Sequence, residues 1–398
     1  MIAKAAVLSL ALLALPLSGA AGTAPAIARL IAEPSEITLR GPQAEHGLLI
    51  TSVSAEGRWR DVGAQAVLSS ADPRIVSVST DGRLRPVADG DTEVSATYEG
   101  HTSKVKVRVE GASQAEAPSF RHEVVPLLTR YGCNQGACHG KEAGQNGFKL
   151  SLRGYAPEED YPRLTLESSG RRVNRGAPAL SLLLAKAAGS LPHKGGALFA
   201  PDSRPYGTFK RWIEAGTPNV RPEDLALSSI EILGGGRELS AGQEQRLLVL
   251  ARFADGSVRD ISWLCQYYVN DATVLELSGP GRIRAKRQGA TAVRAHYQDR
   301  VAVVSFSVPN EKPVDPALYV ARATEIDRHV FERLAALRIP PSGPATDEDF
   351  LRRVYVDTIG TLPTADEAAA WLADPAADKR TRLVDQLLAR PEFTDYWA

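Results

Sequence analysis

About 85 residues of this chain occur twice at one constant spacing, and that repeat constrains the fold more than any other feature. His46 to Val62, HGLLITSVSAEGRWRDV, aligns without a gap on Gln245 to Ile261, QRLLVLARFADGSVRDI, an offset of 199 residues. Leu48, Leu49, Gly57, Arg60 and Asp61 meet Leu247, Leu248, Gly256, Arg259 and Asp260. Further on, Gly82-Arg83-Leu84-Arg85 meets Gly281-Arg282-Ile283-Arg284, and Val94, Ala96 and Tyr98 meet Val293, Ala295 and Tyr297. Segments that repeat in this way fold as one unit used twice. The copies span roughly 26–112 and 226–310.

Each copy alternates apolar and polar residues over short runs, as in Val76-Ser77-Val78-Ser79 and Val105-Lys106-Val107-Arg108-Val109. Turn signals such as Asp81-Gly82 and Asp255-Gly256 separate the runs. Period-two alternation with regular turns predicts an antiparallel β-sandwich for each copy. Residues 116–220 differ: Phe120, Val124, Leu127 and Leu128 recur at helical spacing, and Ser181–Lys186 and Phe209–Ile213 are helix-like among many glycines and prolines. Residues 320–398 are helical throughout, with Ile326, Val330, Phe331 and Leu334 on one face of 325–337 and Phe350, Leu351, Val354 and Tyr355 on one face of 347–359. Pro363-Thr364-Ala365-Asp366-Glu367 forms a capping box ahead of a further helix. A last helix over 380–390 carries Leu383, Val384, Leu387 and Leu388, and the chain stops inside an aromatic run at Tyr396-Trp397-Ala398, as the first part of a larger helical domain would. The expected fold class is therefore multidomain: two all-β sandwiches flanking a small, mostly α segment, followed by an α-helical C-terminal segment.

Met1 to Ala21 carries Lys4, an apolar run from Ala5 to Leu17, then Ser18, Gly19, Ala20 and Ala21. This is the pattern of a cleaved secretory signal, too short to span a bilayer comfortably. No later stretch predicts a stable membrane span, so the expected location is the periplasm, the cell envelope or the outside of the cell. A formal net charge of +0 offers no basic excess for nucleic acid.

The chemistry concentrates in Cys133-Asn134-Gln135-Gly136-Ala137-Cys138-His139. Covalent haem attachment needs two thiols for the two vinyl groups and an imidazole for the iron. A histidine directly after the second cysteine supplies the imidazole. The usual spacing is C-x-x-C-H; this chain has two more residues between the cysteines, a bulge that Gly136 would ease. A small Cys133–Cys138 disulfide is one alternative. A zinc site is another, although a fourth ligand at zinc-type spacing is lacking. The only methionine is Met1, so the second axial ligand is sought among histidines. His193, in Leu191-Pro192-His193-Lys194-Gly195-Gly196, is the first candidate and His122 the second. His139 and His193 would hold the iron, and Cys133 and Cys138 the porphyrin. A bis-histidine haem should have a lower potential than a methionine-ligated one. Cys265, the remaining cysteine, reads as a small buried hydrophobe on a strand.

Three groups of motifs resemble known families. The copies, through Phe253-Ala254-Asp255-Gly256-Ser257-Val258-Arg259-Asp260-Ile261, resemble bacterial Ig-like domains of group 2. Residues 120–215 resemble the planctomycete-type cytochrome c domain, through Arg130–Cys133, Ala137–Gly140, Gly147–Leu152, Pro192–Gly196 and Trp212–Gly216. Residues 326–397 resemble the opening of the DUF1549 domain, through Leu351-Arg352-Arg353-Val354-Tyr355-Val356-Asp357-Thr358-Ile359-Gly360-Thr361-Leu362-Pro363-Thr364. These resemblances imply an exported, metal-binding haem c protein of planctomycete-like bacteria. They imply no settled reaction and give no catalytic role to Arg352, Arg353 or Asp357. The function expected first is electron transfer to an unidentified redox partner within an envelope or polysaccharide-processing system. The others are a haem-dependent oxidising enzyme, or cell-surface adhesion and polysaccharide binding through aromatics such as Trp59, Tyr98, Tyr267, Tyr268 and Tyr297.

Overall fold

The computed structural model describes residues 26–114, 116–221, 224–320 and 324–398; the signal expected over Met1–Ala21 lies outside the described residues. The chain divides into two compact units, 1–311 and 312–398.

In the first unit the strands of the two repeats follow the 199-residue offset. Leu49–Ser54, Trp59–Asp61, Val67–Ser70 and Gly90–Tyr98 recur as Leu248–Phe253, Val258–Asp260, Gln266–Val269 and Gly289–Tyr297. In the first repeat the sheet Ile27–Glu33, Leu49–Ser54, Trp59–Asp61 opposes a four-stranded sheet ordered Glu36–Arg40, His101–Glu110, Gly90–Tyr98, Val67–Ser70. Its core is the apolar half of each alternating run, with Val76, Leu84, Val94, Ala96, Val105 and Val107 all buried. The repeats are not identical. Glu36–Arg40 pairs in parallel with His101–Glu110 over five residues, whereas the second repeat keeps only a parallel Glu238–Ser307 bridge at that place.

The repeats pack on each other through equivalent residues. Asp61 Oδ2 accepts the Arg246 N–H at 2.6 Å, and Asp260 Oδ2 accepts the Gly47 N–H at 2.9 Å. By the 199-residue offset, Gly47 is the counterpart of Arg246 and Asp61 of Asp260. Leu49 and its counterpart Leu248 share one apolar cluster with Leu250. This is the reciprocal contact of a two-fold dimer, realised inside one chain.

Between the repeats lie four short helices, α1 (Val125–Arg130), α2 (Pro157–Thr165), α3 (Leu182–Ala187) and α4 (Arg204–Glu214). Their core does not close on itself. Phe120, Leu127, Leu128, Phe209 and Trp212 belong to the same buried cluster as Val249, Phe253, Val293 and Phe306 of the second repeat. Polar clamps fix the segment to both repeats: Arg204 of α4 pairs with Glu45 at 2.7 Å and lies 3.8 Å from the centre of the Trp263 ring, and Tyr297 donates to the His122 carbonyl at 2.8 Å. Cys265 is buried as expected, but it immediately precedes the strand Gln266–Val269 and does not lie on it.

The second unit holds α5 (Glu325–Leu337), α6 (Asp347–Ile359), α7 (Ala365–Ala373), α8 (Lys379–Leu388) and α9 (Pro391–Trp397). Thr364 and Glu367 form the capping box expected ahead of α7. Leu351, Tyr355, Ile359, Leu383 and Leu387 make the core. The face of α5 departs from expectation: Ile326 is 76% exposed and Val330 49%. No helix of the described residues is long and apolar enough to cross a membrane.

Candidate functional site

Cys133 lies three residues beyond the end of α1, and its N–H closes on the Leu128 carbonyl at 2.8 Å. The loop then folds back, with the His139 N–H donating to the Cys133 carbonyl at 2.9 Å and the Gly140 N–H to the Gln135 carbonyl at 3.0 Å. Asn134 is fully buried beneath it, and its Nδ2 donates to Thr129 Oγ1 at 2.8 Å. The turn depends on a glycine, but not on Gly136, whose Cβ position is open. At Gly140 a Cβ would lie 2.0 Å from the Asn134 carbonyl oxygen. Both cysteines are free and half-buried. Burial, followed by the nearby Cys138, pushes the Cys133 thiol up to about 12.

His139 is oriented by a second segment. Its Nδ1 lies 3.0 Å from the Phe148 carbonyl, so the neutral ring donates there and turns Nε2 the other way. Arg172 holds that carbonyl's neighbourhood: Nη2 donates to the Gly147 carbonyl at 2.9 Å and the guanidinium lies 4.4 Å from the centre of the Phe148 ring. Burial, then the His193 and Arg172 charges, lowers the His139 pKa against an opposing pull from the Phe148 carbonyl. The shift favours the neutral form of the ring over the charged one. Asp160 at the start of α2 accepts the Ser151 N–H and hydroxyl at 2.5 and 2.6 Å, tying down the strand-like stretch that carries Phe148. Neither Arg172 nor Asp160 stands out in the sequence, because each acts through main-chain atoms distant along the chain.

His193 comes from the loop after α3. Lys186 Nζ donates to the Pro192 carbonyl at 3.1 Å, and His193 Nδ1 lies 3.2 Å from the Gly196 carbonyl. The imidazole planes of His139 and His193 are within 8° of parallel, and their ring centres lie 6.4 Å apart. Each Nδ1 is held by a carbonyl, and neither Nε2 has a hydrogen-bond partner among the described residues. His122 is elsewhere: it is buried edge-on against Phe253 with Nδ1 on Gln298.

A metal held by two imidazoles at about 2 Å each, with each ring centre about 1 Å behind its nitrogen, separates the centres by about 6 Å. The observed 6.4 Å corresponds to that separation only for rings that meet a metal end-on through Nε2.

Residues 325–398 match the family described as PSCyt2, protein of unknown function (DUF1549). An S-layer-related protein of Niallia circulans is 45% identical over 53 residues, which is 13% of this chain and 3% of that protein. The chain therefore spans a small fraction of the curated relative it matches. Domains 5-6 of the S-layer protein SbsC align with 72% of this chain and all of their own length, at 11% identity and a TM-score of 0.29. A 282-residue intimin fragment aligns over 89% of each chain, at 10% identity and a TM-score of 0.16.

These findings correct the expectation of a metal-binding protein with cytochrome kinship. Among the described residues no group of three or more His, Cys, Asp or Glu could hold a metal ion, so side chains alone build no such site there, the zinc alternative included. The curated relative that matches part of the chain is an S-layer-related protein.

Proposed function

We propose that residues 116–220 carry a covalent haem c and that the chain passes electrons at the cell surface or in the envelope. Cys133 and Cys138 would hold the porphyrin, and His139 and His193 would hold the iron. The observation that carries this reading is the pair of parallel, carbonyl-oriented imidazoles 6.4 Å apart, beside two free thiols. Haem would supply a one-electron couple; the chain's own residues bind and orient. Two imidazoles fixed through their Nδ1 carbonyls would leave little freedom at the iron, which favours electron transfer over an oxidising enzyme that needs an open position. The S-layer-related match supports the location, and the repeats are read as group 2 Ig-like sandwiches that display the haem segment.

The test is export of the whole chain in a host with cytochrome c maturation machinery, followed by haem staining of a denaturing gel and an absorbance spectrum. Staining with a six-coordinate, low-spin spectrum is expected. A colourless protein whose Cys133 and Cys138 are oxidised to each other by mass spectrometry overturns the proposal. A second reading, adhesion through the repeats, rests on the same S-layer-related match. Of the aromatics that would stack on sugars, Tyr297 is buried, and Trp59 carries Arg237 4.8 Å from its ring centre. Glycan-array binding by the whole chain, retained in a Cys133→Ser, Cys138→Ser variant, would favour adhesion.

A further inference from the structure

The two repeats place different chemistry on the same sheet face. In the second repeat the sheet Gln266–Val269, Gly289–Tyr297, Arg300–Val308 buries Val293 and Ala295, so Arg294 and His296 point to the opposite face. By register Arg294 lies between Tyr268 and Val303, and His296 lies beside Val301. Their counterparts at the 199-residue offset are, in that order, Ser95, Ser69, Lys104, Thr97 and Thr102. In the first repeat this face satisfies its own polar groups: Thr97 and Thr102 share a hydrogen bond at 3.2 Å, and Lys104 pairs with Glu93 at 2.9 Å. In the second repeat Ala292 stands where the first has Glu93, and Val301 and Val303 are 50% and 57% exposed.

Cationic groups gather on that second face around one ring. The Arg294 guanidinium lies 5.5 Å from the centre of the Tyr268 ring, and that of Arg153, from the helical segment, lies 6.0 Å from it. The His296 ring meets Tyr268 edge-on at 5.0 Å. Neither arginine has a carboxylate partner among the described residues. Burial, then Arg153 and Arg294, lowers the His296 pKa, with no carboxylate opposing them. Arg294 Nε is buried, but its two terminal nitrogens are open to solvent and unbonded among the described residues, and Arg153 is exposed. Arg153 is fixed through its main chain, whose N–H donates to the Asn134 carbonyl at 3.0 Å and whose carbonyl accepts from Thr129 Oγ1 at 3.2 Å. Guanidiniums packed against an aromatic ring are ordered in advance, with their forks left for an acceptor outside the chain. A carboxylate or a sulfate is such an acceptor. The sheet face is open along its strands and admits an extended ligand, and the exposed valines beside the arginines suit the C–H surface of a sugar ring.

We propose that this face binds an acidic polysaccharide, with its anionic groups on Arg153 and Arg294 and its sugar rings on Val301 and Val303. The proposal does not rest on haem; it rests on the adhesion reading, for which it names the class of ligand. Electrophoresis of the whole chain through native gels containing polygalacturonate, dextran sulfate, uncharged dextran or poly-L-glutamate tests it. The two acidic polysaccharides should retard the chain and dextran should not, and the stronger of the two identifies carboxylate or sulfate as the group bound. Arg153→Gln and Arg294→Gln should each weaken apparent affinity by roughly tenfold or more, as the loss of a charge-assisted bond does. If Arg294→Gln fails to fold, Val303→Glu, at an exposed position beside it, should weaken binding in the same way. Lys104→Gln, on the matching face of the first repeat, should bind as the parent does. Equal weakening by Lys104→Gln and Arg153→Gln, or binding to poly-L-glutamate as tight as to either polysaccharide, overturns the proposal. Binding to dextran that survives the arginine substitutions overturns this site and leaves adhesion standing, whereas no retardation by any of the three glycans removes the adhesion reading as well.

Discussion

Asp61 and Asp260 hold the same position in the two repeats, and each accepts a backbone N–H from the other repeat, Asp61 from Arg246 at 2.6 Å and Asp260 from Gly47 at 2.9 Å. The two modules are therefore clasped by one device used twice, although 199 residues and a helical segment separate the partners. Asp260 is the more buried, and it also accepts the Ser262 N–H at 2.8 Å and hydroxyl at 2.6 Å.

The first prediction follows from that inequality. Asp260→Ala leaves two buried N–H groups without an acceptor, at about 1–3 kcal/mol each, and should lower stability by roughly 2–5 kcal/mol. Asp61→Ala, at a half-buried position, should cost about 1–2 kcal/mol. Urea unfolding followed by tryptophan fluorescence reads both. Because the second repeat and the helical segment share one core, they should lose structure together in the Asp260 variant. Separate transitions for those two parts would contradict the shared core.

The alternation and the repeat made the strands legible, since an offset that holds through Gly57, Gly82 and Tyr98 pins turns as well as strands. The helices of the second unit were legible from period and caps, with 325–337 and 347–359 falling on α5 and α6. The burial of α5 was not, because an apolar stripe such as Ile326–Val330 shows what could be covered and not whether it is. The loop that carries His139 was read to the wrong glycine. Gly136 lies between the cysteines and drew attention by position, whereas Gly140 is the one pressed against main chain. Arg172, Asp160 and the Phe148 carbonyl left no signal at all, because contacts from a side chain to a distant backbone atom have no period and no motif.

That glycine contrast gives a second prediction. Gly140→Ala must push apart the Asn134 carbonyl and the new Cβ, which would otherwise lie 2.0 Å apart. A main-chain clash of this kind costs about 2 kcal/mol or more. Gly136→Ala meets nothing within 4 Å and should be neutral or slightly stabilising, by up to about 1 kcal/mol, through the unfolded chain. Urea midpoints of the two variants side by side check the pair. Equal midpoints would mean that the loop is not built as described.

A third prediction concerns the Cys133 thiol in protein without haem. Its burial favours the neutral form, with the folded value pushed up to about 12 against an ordinary value of 9. The raised value means that the folded state holds its proton longer than the unfolded chain. The stabilising difference is present below pH 9 and is lost as pH rises from there towards 12. Iodoacetamide should therefore modify Cys133 slowly at pH 8 in the folded protein and rapidly in urea, since the thiolate is the nucleophile. Peptide mass spectrometry of timed samples gives the rate at this residue. Equal rates in folded and unfolded protein would show that the thiol is not shielded.

The fourth prediction separates the His193 imidazole from the rest of the site. Gly195 lies under that ring, and a Cβ there would come 2.9 Å from His193 Cε1 and 3.3 Å from Nδ1. Gly195→Val must therefore move the imidazole or its loop, without touching Cys133, Cys138 or His139. If the proposed haem is present, the thioethers and one axial ligand survive, so haem staining should be unchanged. The second axial position should open. Carbon monoxide, which should not bind the reduced parent, should then bind the reduced variant and shift its Soret band. His193→Ala should behave in the same way, and Gly196→Ala, whose Cβ position is open, should keep more of the parent spectrum even though its positive φ of 73° disfavours a side chain. A Gly195→Val variant that stains for haem and still excludes carbon monoxide would mean that the partner of His139 is not His193.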